Sequence, residues 1–347
     1  MHLVATSKLL LDCWIAPFVV FFQRRAHTQQ SFAQAVLFHI MRLCTSTQIP
    51  VFRRLFNLYG VLQRLLYKPF HIVATPRVKG LWYGQPVMHD HMKSHATILY
   101  IHGGAFAAGS AATQSNDLIK PLITALNTQD VAARVFSLEY DLAPERQFPH
   151  QQHQALAAYE WLLAQNYTNI IVMGDSAGGN LALSLLQAIV RLGLPQAAGG
   201  ILLSPWVDLT MSHTSYERNE TTDYIAKSGA LTARAAYVTE DNIEKASPGL
   251  QSMEGLAPIM VVYGGGEILA DEIAAMVDSA KSAKVPVHEI YHPTLCHVYP
   301  MVLRNSDHAN EAFEGMAQFI AGATQPVSLE IQVVPSASTE QAPIACA

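Results

Sequence analysis

The sequence predicts an α/β architecture in which a mostly parallel central sheet is flanked by helices, with a helical cap at its N-terminal end. Two observations carry this. Beyond Val73, short apolar strands alternate regularly with amphipathic helices, the pattern of parallel strands joined by crossovers. A glycine-flanked serine, Ser176, lies where one of those strands gives way to a helix. The bulk composition agrees with a large buried core: 50% of the 347 residues are apolar and only 14% are charged.

In chain order, the sequence opens with an apolar run from Leu9 to Phe22, interrupted by Asp12 and Pro17 and bounded by Lys8 and by Arg24-Arg25. It is shorter than the roughly 18 residues that argue for a spanning helix, and it lacks a small-residue cleavage site. From Ser31 to Lys68 apolar residues are interleaved with Arg42, Arg53, Arg54, Arg64 and Lys68, which suits helices lying on an anionic membrane surface or packing as a cap. Strands are predicted over Ala96–Ile101, Ala133–Tyr140, Asn169–Met173, Gly200–Leu203, Ile259–Tyr263 and Val285–Tyr291. The intervening helices are predicted over Asp117–Leu126, Gln151–Gln165, Gly178–Leu192, Asp271–Lys284 and Asn305–Ile320, the third stopped by Gly193 and Pro195. Residues 207–255 are polar and weakly periodic, as expected of an insertion or lid near a site. The chain thus divides into cap or membrane-associating helices (1–72), an α/β domain (73–322) and a disordered Pro/Ser/Thr-rich tail (323–347).

Several function classes are excluded early. A formal net charge of −5 offers no basic footprint for nucleic acid. The four cysteines, Cys13, Cys44, Cys296 and Cys346, form neither a disulfide framework nor a zinc pattern, consistent with a reducing, intracellular setting. Two Asn-x-Thr triplets, at Asn166 and Asn219, match the glycosylation pattern and matter only if the domain faces a lumen. His89, His91 and His95 cluster before a strand without a partner carboxylate, so no metal site is expected.

The chemistry lies in a short set of motifs. A serine hydroxyl is a poor nucleophile until a base takes its proton and a third group orients that base. Gly174-Asp175-Ser176-Ala177-Gly178 places the serine on a sharp strand-to-helix turn, where side chains at the flanking glycines would clash. Upstream, His102-Gly103-Gly104-Ala105-Phe106 follows a strand directly. Its glycines let backbone N–H groups approach a developing oxyanion. Gly104, Ala105 and Ala177 are the expected donors, with Gly103 shaping the turn of that oxyanion hole.

These segments resemble the hormone-sensitive-lipase-like carboxylesterases of the α/β-hydrolase fold. The resemblance also rests on Tyr140-Asp-Leu-Ala-Pro-Glu145 and Ser204-Pro-Trp-Val-Asp-Leu-Thr210, and it spans about Val78 to Val302. Two positions depart from the family pattern: Ala105 stands where a third glycine is commoner, and Asp141 where an arginine is frequent. The resemblance implies a serine carboxylic-ester hydrolase needing no metal or organic cofactor. In the family the catalytic acid matches Glu267 in Glu267-Ile-Leu-Ala-Asp271-Glu272, with Asp271 as competitor and Asp175 structural. The base is expected at His297, which gives the chain order serine, acid, histidine that this fold requires, with His292 as the alternative. Cys296 reads as a buried bystander. The implied substrates are short- to medium-chain or lipid-like esters bound beneath the cap, with membrane contact and a homodimer as further expectations. The rival readings are a catalytically silent small-ligand receptor on the same scaffold and a membrane-surface interaction protein.

Overall fold

The computed structural model describes residues 32–46, 48–84 and 94–324. The run Leu9–Phe22, Cys13, Arg24-Arg25, His89, His91, the C-terminal tail from residue 325 and Cys346 lie outside them, while Ala323, expected to open the tail, ends a helix. Two helices come first, α1 (Phe32–Thr45) and α2 (Ile49–Leu66), the second opened by Pro50, whose missing N–H costs nothing in a first turn. Eight strands follow: β1 (His71–Ala74), β2 (Lys79–Gly84), β3 (Ser94–Ile101), β4 (Val131–Leu138), β5 (Ile170–Asp175), β6 (Gly199–Leu203), β7 (Ile259–Gly264) and β8 (Val287–His292). They form one sheet in the order β1-β2-β4-β3-β5-β6-β7-β8, antiparallel at β1–β2 and β2–β4 and parallel elsewhere.

The crossovers are α3 (Lys120–Thr128), α4 (His150–Ala164), α5 (Ala177–Leu192), the pair α6 (Ser215–Arg218) and α7 (Lys227–Tyr237), and α8 (Ala270–Ser282). After β8 come α9 (Tyr299–Val302) and α10 (Asp307–Ala323). Helices α4, α5 and α8 pack on one face of the sheet through residues such as Ala155, Leu181 and Ile273. Helices α3 and α10 cover the other through Leu122, Leu126, Phe313 and Met316. β5 and β6 are buried along their whole length, as parallel strands covered on both faces must be.

The structure departs from the expected alternation in two places. Before β3 the chain makes the antiparallel pair β1–β2. The Lys79–Gly84 segment, Lys-Gly-Leu-Trp-Tyr-Gly, is short and buried across four consecutive residues, so it carries no period-2 signal. The helix expected from Asp117 starts instead as a wider π turn over Ser115–Ile119 that sinks Asp117 into the protein before α3 begins. Residues 207–255 are not a loose lid. Val207, Tyr216, Tyr237 and Ala246 are fully buried there, and Asn219 donates through Nδ2 to the carbonyls of Gly265 (2.8 Å) and Glu267 (2.7 Å). With its amide so used, Asn219 is no glycan acceptor in this fold. Among the described residues no helix is long and apolar enough to cross a membrane.

Candidate active site

Ser176 is the single residue between the end of β5 and the start of α5, with φ 53° and ψ −122°. Such a backbone costs a side-chain-bearing residue on the order of 1–3 kcal/mol and persists only when its surroundings fix it. Here they do: its N–H donates to the Leu203 carbonyl at 2.9 Å, and its carbonyl accepts from Trp206 N–H at 3.0 Å and Asn180 N–H at 3.1 Å. The flanking glycines are sites of contact. A Cβ on Gly178 would lie 2.1 Å from the Ile101 carbonyl oxygen, and one on Gly174 would lie 2.2 Å from that of Gly178.

The loop after β3 turns back on itself through three successive positive φ values, at Gly104 (116°), Ala105 (55°) and Phe106 (60°). The Gly103 N–H donates to Asp175 Oδ1 at 2.8 Å, so it is unavailable to an oxyanion and Gly103 shapes the turn. The N–H groups of Gly104, Ala105 and Ala177 meet no acceptor among the described residues. Gly104 and Ala105 line a cavity, and Ala177 opens α5, where the positive end of the helix dipole lies. Asp175 also accepts from the Tyr100 hydroxyl, and burial pushes its carboxyl above the usual range. His102 stacks on Tyr140 with centroids 4.2 Å apart, and burial holds its pKa down to about 4, so this histidine stays neutral.

Across the cavity, His297 Nδ1 lies 2.7 Å from Glu267 Oε2, with both side chains buried. The other oxygen, Glu267 Oε1, accepts from the Ser204 hydroxyl and from Gly264 N–H, each at 2.9 Å. Ser204 Oγ in turn accepts Val298 N–H at 2.9 Å, which ties the segment carrying the histidine to the acid. Burial alone would lower the His297 pKa. The hydrogen bond and charge of Glu267, reinforced by the charges of Asp223 and Asp175, outweigh it and raise the pKa above the ordinary imidazole value.

The competing candidates sit elsewhere. Asp271 faces outward: it binds Arg218 at 2.5 Å and accepts from the Thr214 hydroxyl and Ser215 N–H, each at 2.9 Å. The hydrogen bond from Arg218 keeps its carboxyl below the usual range. His292 stands 3.3 Å from Glu311, with its ring tilted against that of His308 at 4.4 Å, and does not line the cavity that holds Ser176. Cys296 is buried, and desolvation pushes its thiol well up, which suppresses the reactive thiolate. The position where an arginine was expected is rebuilt: Asp141 binds His150 Nε2 at 2.8 Å and Gln154. Arg53 of α2 instead reaches over to the carbonyls of Ala107 (2.7 Å) and Ala143 and to the Glu145 carboxylate (2.7 Å).

Ser176, His297, Gly104, Ala105 and Trp206 line one cavity of about 480 Å³. Its far wall is apolar and comes from α1 and α2 through Met41, Phe52, Leu55 and Phe56. The Ser176 hydroxyl makes no hydrogen bond among the described residues and lines the same cavity as His297.

Comparison with known proteins decides the family. A family model described as "alpha/beta hydrolase fold" matches residues 98–301. An acetyl-hydrolase of Streptomyces hygroscopicus is 33% identical over 233 residues, covering 66% of this chain and 76% of that protein. An esterase of Acinetobacter venetianus is 32% identical, covering 67% and 78%. A crystal structure of an esterase from the bacterial hormone-sensitive lipase family superposes with a TM-score of 0.73 at 28% identity, over 85% of this chain and 99% of the other. The chain belongs to the hormone-sensitive-lipase-like carboxylesterases. It is a hydrolase of carboxylic esters.

Within this esterase, sequence reasoning missed Asp223, which sits in the weakly periodic insertion. It is buried, accepts Ile268 N–H at 2.9 Å and His297 N–H at 3.3 Å, and so bridges the segments that carry Glu267 and His297. Burial holds its own pKa up to about 6. Only the polarity of an otherwise buried insertion hinted at it. Asp223→Asn keeps one acceptor oxygen for three backbone donors, Tyr224, Ile268 and His297 N–H, and removes a negative charge that raises the His297 pKa. We expect kcat to fall roughly tenfold, with KM little changed. The acid limb of the kcat/KM profile should move to lower pH, because the neutral imidazole persists further down. Superimposable pH–rate profiles would assign Asp223 to folding alone.

Proposed function

We propose that Ser176, His297 and Glu267 form a Ser–His–Glu triad that hydrolyses esters through an acyl-enzyme, with the N–H groups of Gly104, Ala105 and Ala177 as the oxyanion hole and Gly103 as its turn. The observation that carries this reading is the 2.7 Å Glu267–His297 pair opening into the same cavity as a strained, hydrogen-bond-free Ser176 hydroxyl. His297 Nε2 takes the Ser176 proton as Oγ attacks the ester carbonyl, and the carbonyl π pair becomes the oxyanion. Collapse of this intermediate breaks the carbonyl–alkoxy bond, and the alcohol leaves with the proton from Nε2. Water, deprotonated by the same nitrogen, then attacks the acyl-enzyme; collapse of the second intermediate breaks the acyl–Oγ bond, Nε2 returns the proton to Ser176 Oγ, and the carboxylic acid leaves. Glu267 holds Nδ1–H toward itself and stabilises the imidazolium formed twice in each cycle.

The substrate reading follows from the cavity. Its volume lies within the usual range for small-molecule sites, its walls are mostly apolar, and the arginine that lines it, Arg304, is paired with Asp117. We therefore assign short- to medium-chain carboxylic esters, with helices α1 and α2 as the cap of a catalytic domain that begins near residue 73. A structure soaked with p-nitrophenyl butyrate is among its structural neighbours, at TM-score 0.69, 26% identity and coverage of 80% of this chain and 92% of the other. The test is covalent: an alkyl fluorophosphonate should label one site, recovered on the peptide that contains Ser176, and pre-incubation with p-nitrophenyl butyrate should slow the labelling. Label on any other residue, or undiminished label in Ser176→Ala, would sink the assignment.

A further inference from the structure

Helix α2 has two apolar sides. Phe52, Leu55, Phe56 and Tyr59 face the cavity. On the other side Leu58, Leu62 and Leu65, at i, i+4 and i+7, stand 70%, 51% and 66% exposed, and Val61 and Leu66 beside them are more than half exposed. Phe70 and Ile72, in and beside the edge strand β1 that follows, are also exposed. A run of large aliphatic side chains held this far into water is costly, at roughly 25 cal/mol per Å² of apolar surface, and marks a surface meant to be covered. Charge says by what. Arg54, Arg64 and Lys68 flank the stripe and make no ion pair among the described residues. Residues 13–89 carry nine lysines and arginines and not one aspartate or glutamate, in a chain whose net charge is −5. An apolar stripe edged by cations on an otherwise acidic protein is the complement of an anionic bilayer surface.

We propose that the outward face of α2 seats this enzyme on an anionic lipid surface, with Leu58, Leu62 and Leu65 entering the headgroup boundary and Arg54, Arg64 and Lys68 contacting lipid phosphates. The same helix then forms the wall of the ester-binding cavity on one side and the lipid contact on the other. Docking of this kind is independent of the triad, so its failure and that of the catalytic assignment are separable.

The experiment is vesicle flotation of the full-length chain. Vesicles of phosphatidylcholine with phosphatidylglycerol should carry the protein, and vesicles of phosphatidylcholine alone should carry far less. The triple variant L58S/L62S/L65S and the triple variant R54Q/R64Q/K68Q should each lower the bound fraction at least about tenfold. Neither variant touches the cavity lining, and both should hydrolyse soluble p-nitrophenyl acetate at the wild-type rate, which shows that they fold. Ser176→Ala should float as wild type does. Equal flotation on both vesicle types would overturn the proposal, as would unchanged flotation of the leucine variant. So would a wild-type dimer in solution that L58S/L62S/L65S turns into a monomer, because a second copy would then be what covers the stripe.

Discussion

Replacing Ser176 with alanine should lower kcat for p-nitrophenyl butyrate by roughly 10⁴- to 10⁶-fold while leaving the protein folded. The two halves of this expectation have different origins. In the proposed mechanism the loss follows from removing the oxygen that carries the acyl group, so what survives is the residual effect of the oxyanion donors and the cavity on direct attack by water. The intact fold follows from the environment of the hydroxyl. Ser176 Oγ makes no hydrogen bond among the described residues, whereas the backbone bonds that pin the turn, to Leu203, Trp206 and Asn180, belong to main-chain atoms that alanine keeps. Serine and alanine bear the same strain at φ 53°, so Tm should move by no more than about 2 °C. Steady-state kinetics and a thermal melt on the same preparation check both halves. Turnover within tenfold of wild type would remove Ser176 from the chemistry.

Glu267→Gln should cost roughly 10³- to 10⁴-fold in kcat, and Asp271→Asn no more than about threefold. Glu267 meets three donors with two oxygens: His297 Nδ1–H on Oε2, and the Ser204 hydroxyl and Gly264 N–H on Oε1. A glutamine retains one acceptor. With its oxygen toward Ser204 and Gly264, its NH₂ group faces Nδ1 and selects the tautomer that leaves Nε2 protonated and unable to accept the serine proton. With the amide reversed, NH₂ is forced against two donors in a buried site. Loss of the negative charge also lowers the His297 pKa, so the residual activity should extend to lower pH than that of the wild type. Asp271 lies partly in water with Arg218 as its partner, and an exposed pair of this kind contributes little. If the two variants exchanged ranks, the acid of the triad would be Asp271 and the buried contact would be structural.

The parts of this protein that could be read from sequence are those where one backbone geometry admits few residues. The elbow is legible because a Cβ at Gly174 or Gly178 would fall within 2.2 Å of a carbonyl oxygen. The inner parallel strands are legible because burial on both faces demands apolar runs, and the predicted bounds of all six parallel strands lie within two residues of those observed, including β8 at the exposed edge. What could not be read is held by long-range polar contacts. The choice between Glu267 and Asp271 depends on which carboxylate points inward, four residues apart across the start of α8. Asp223, 74 positions before the histidine whose N–H it accepts, has no local signature at all. The β1–β2 pair escaped notice for another reason: four buried residues in a row look alike in a strand and in a buried helix turn. The rebuilt Asp141 position shows the same limit, since the arginine that serves its neighbourhood comes from α2, 88 positions earlier.

Asp175 directly precedes the proposed nucleophile, yet its side chain holds the opposite loop through Gly103 N–H and the end of β3 through the Tyr100 hydroxyl. The proposed nucleophile and the proposed oxyanion donors are therefore not two independently adjustable parts. Any substitution that shifts the end of β5 carries the oxyanion loop with it, and the separation between nucleophile and donors is preserved while the whole assembly moves. For anyone reshaping this pocket, the consequence is a mechanical one. The apolar wall formed by α1 and α2 can be carved freely to change acyl preference, whereas positions 103 and 175 behave as one gene-spanning unit that tolerates change only in concert.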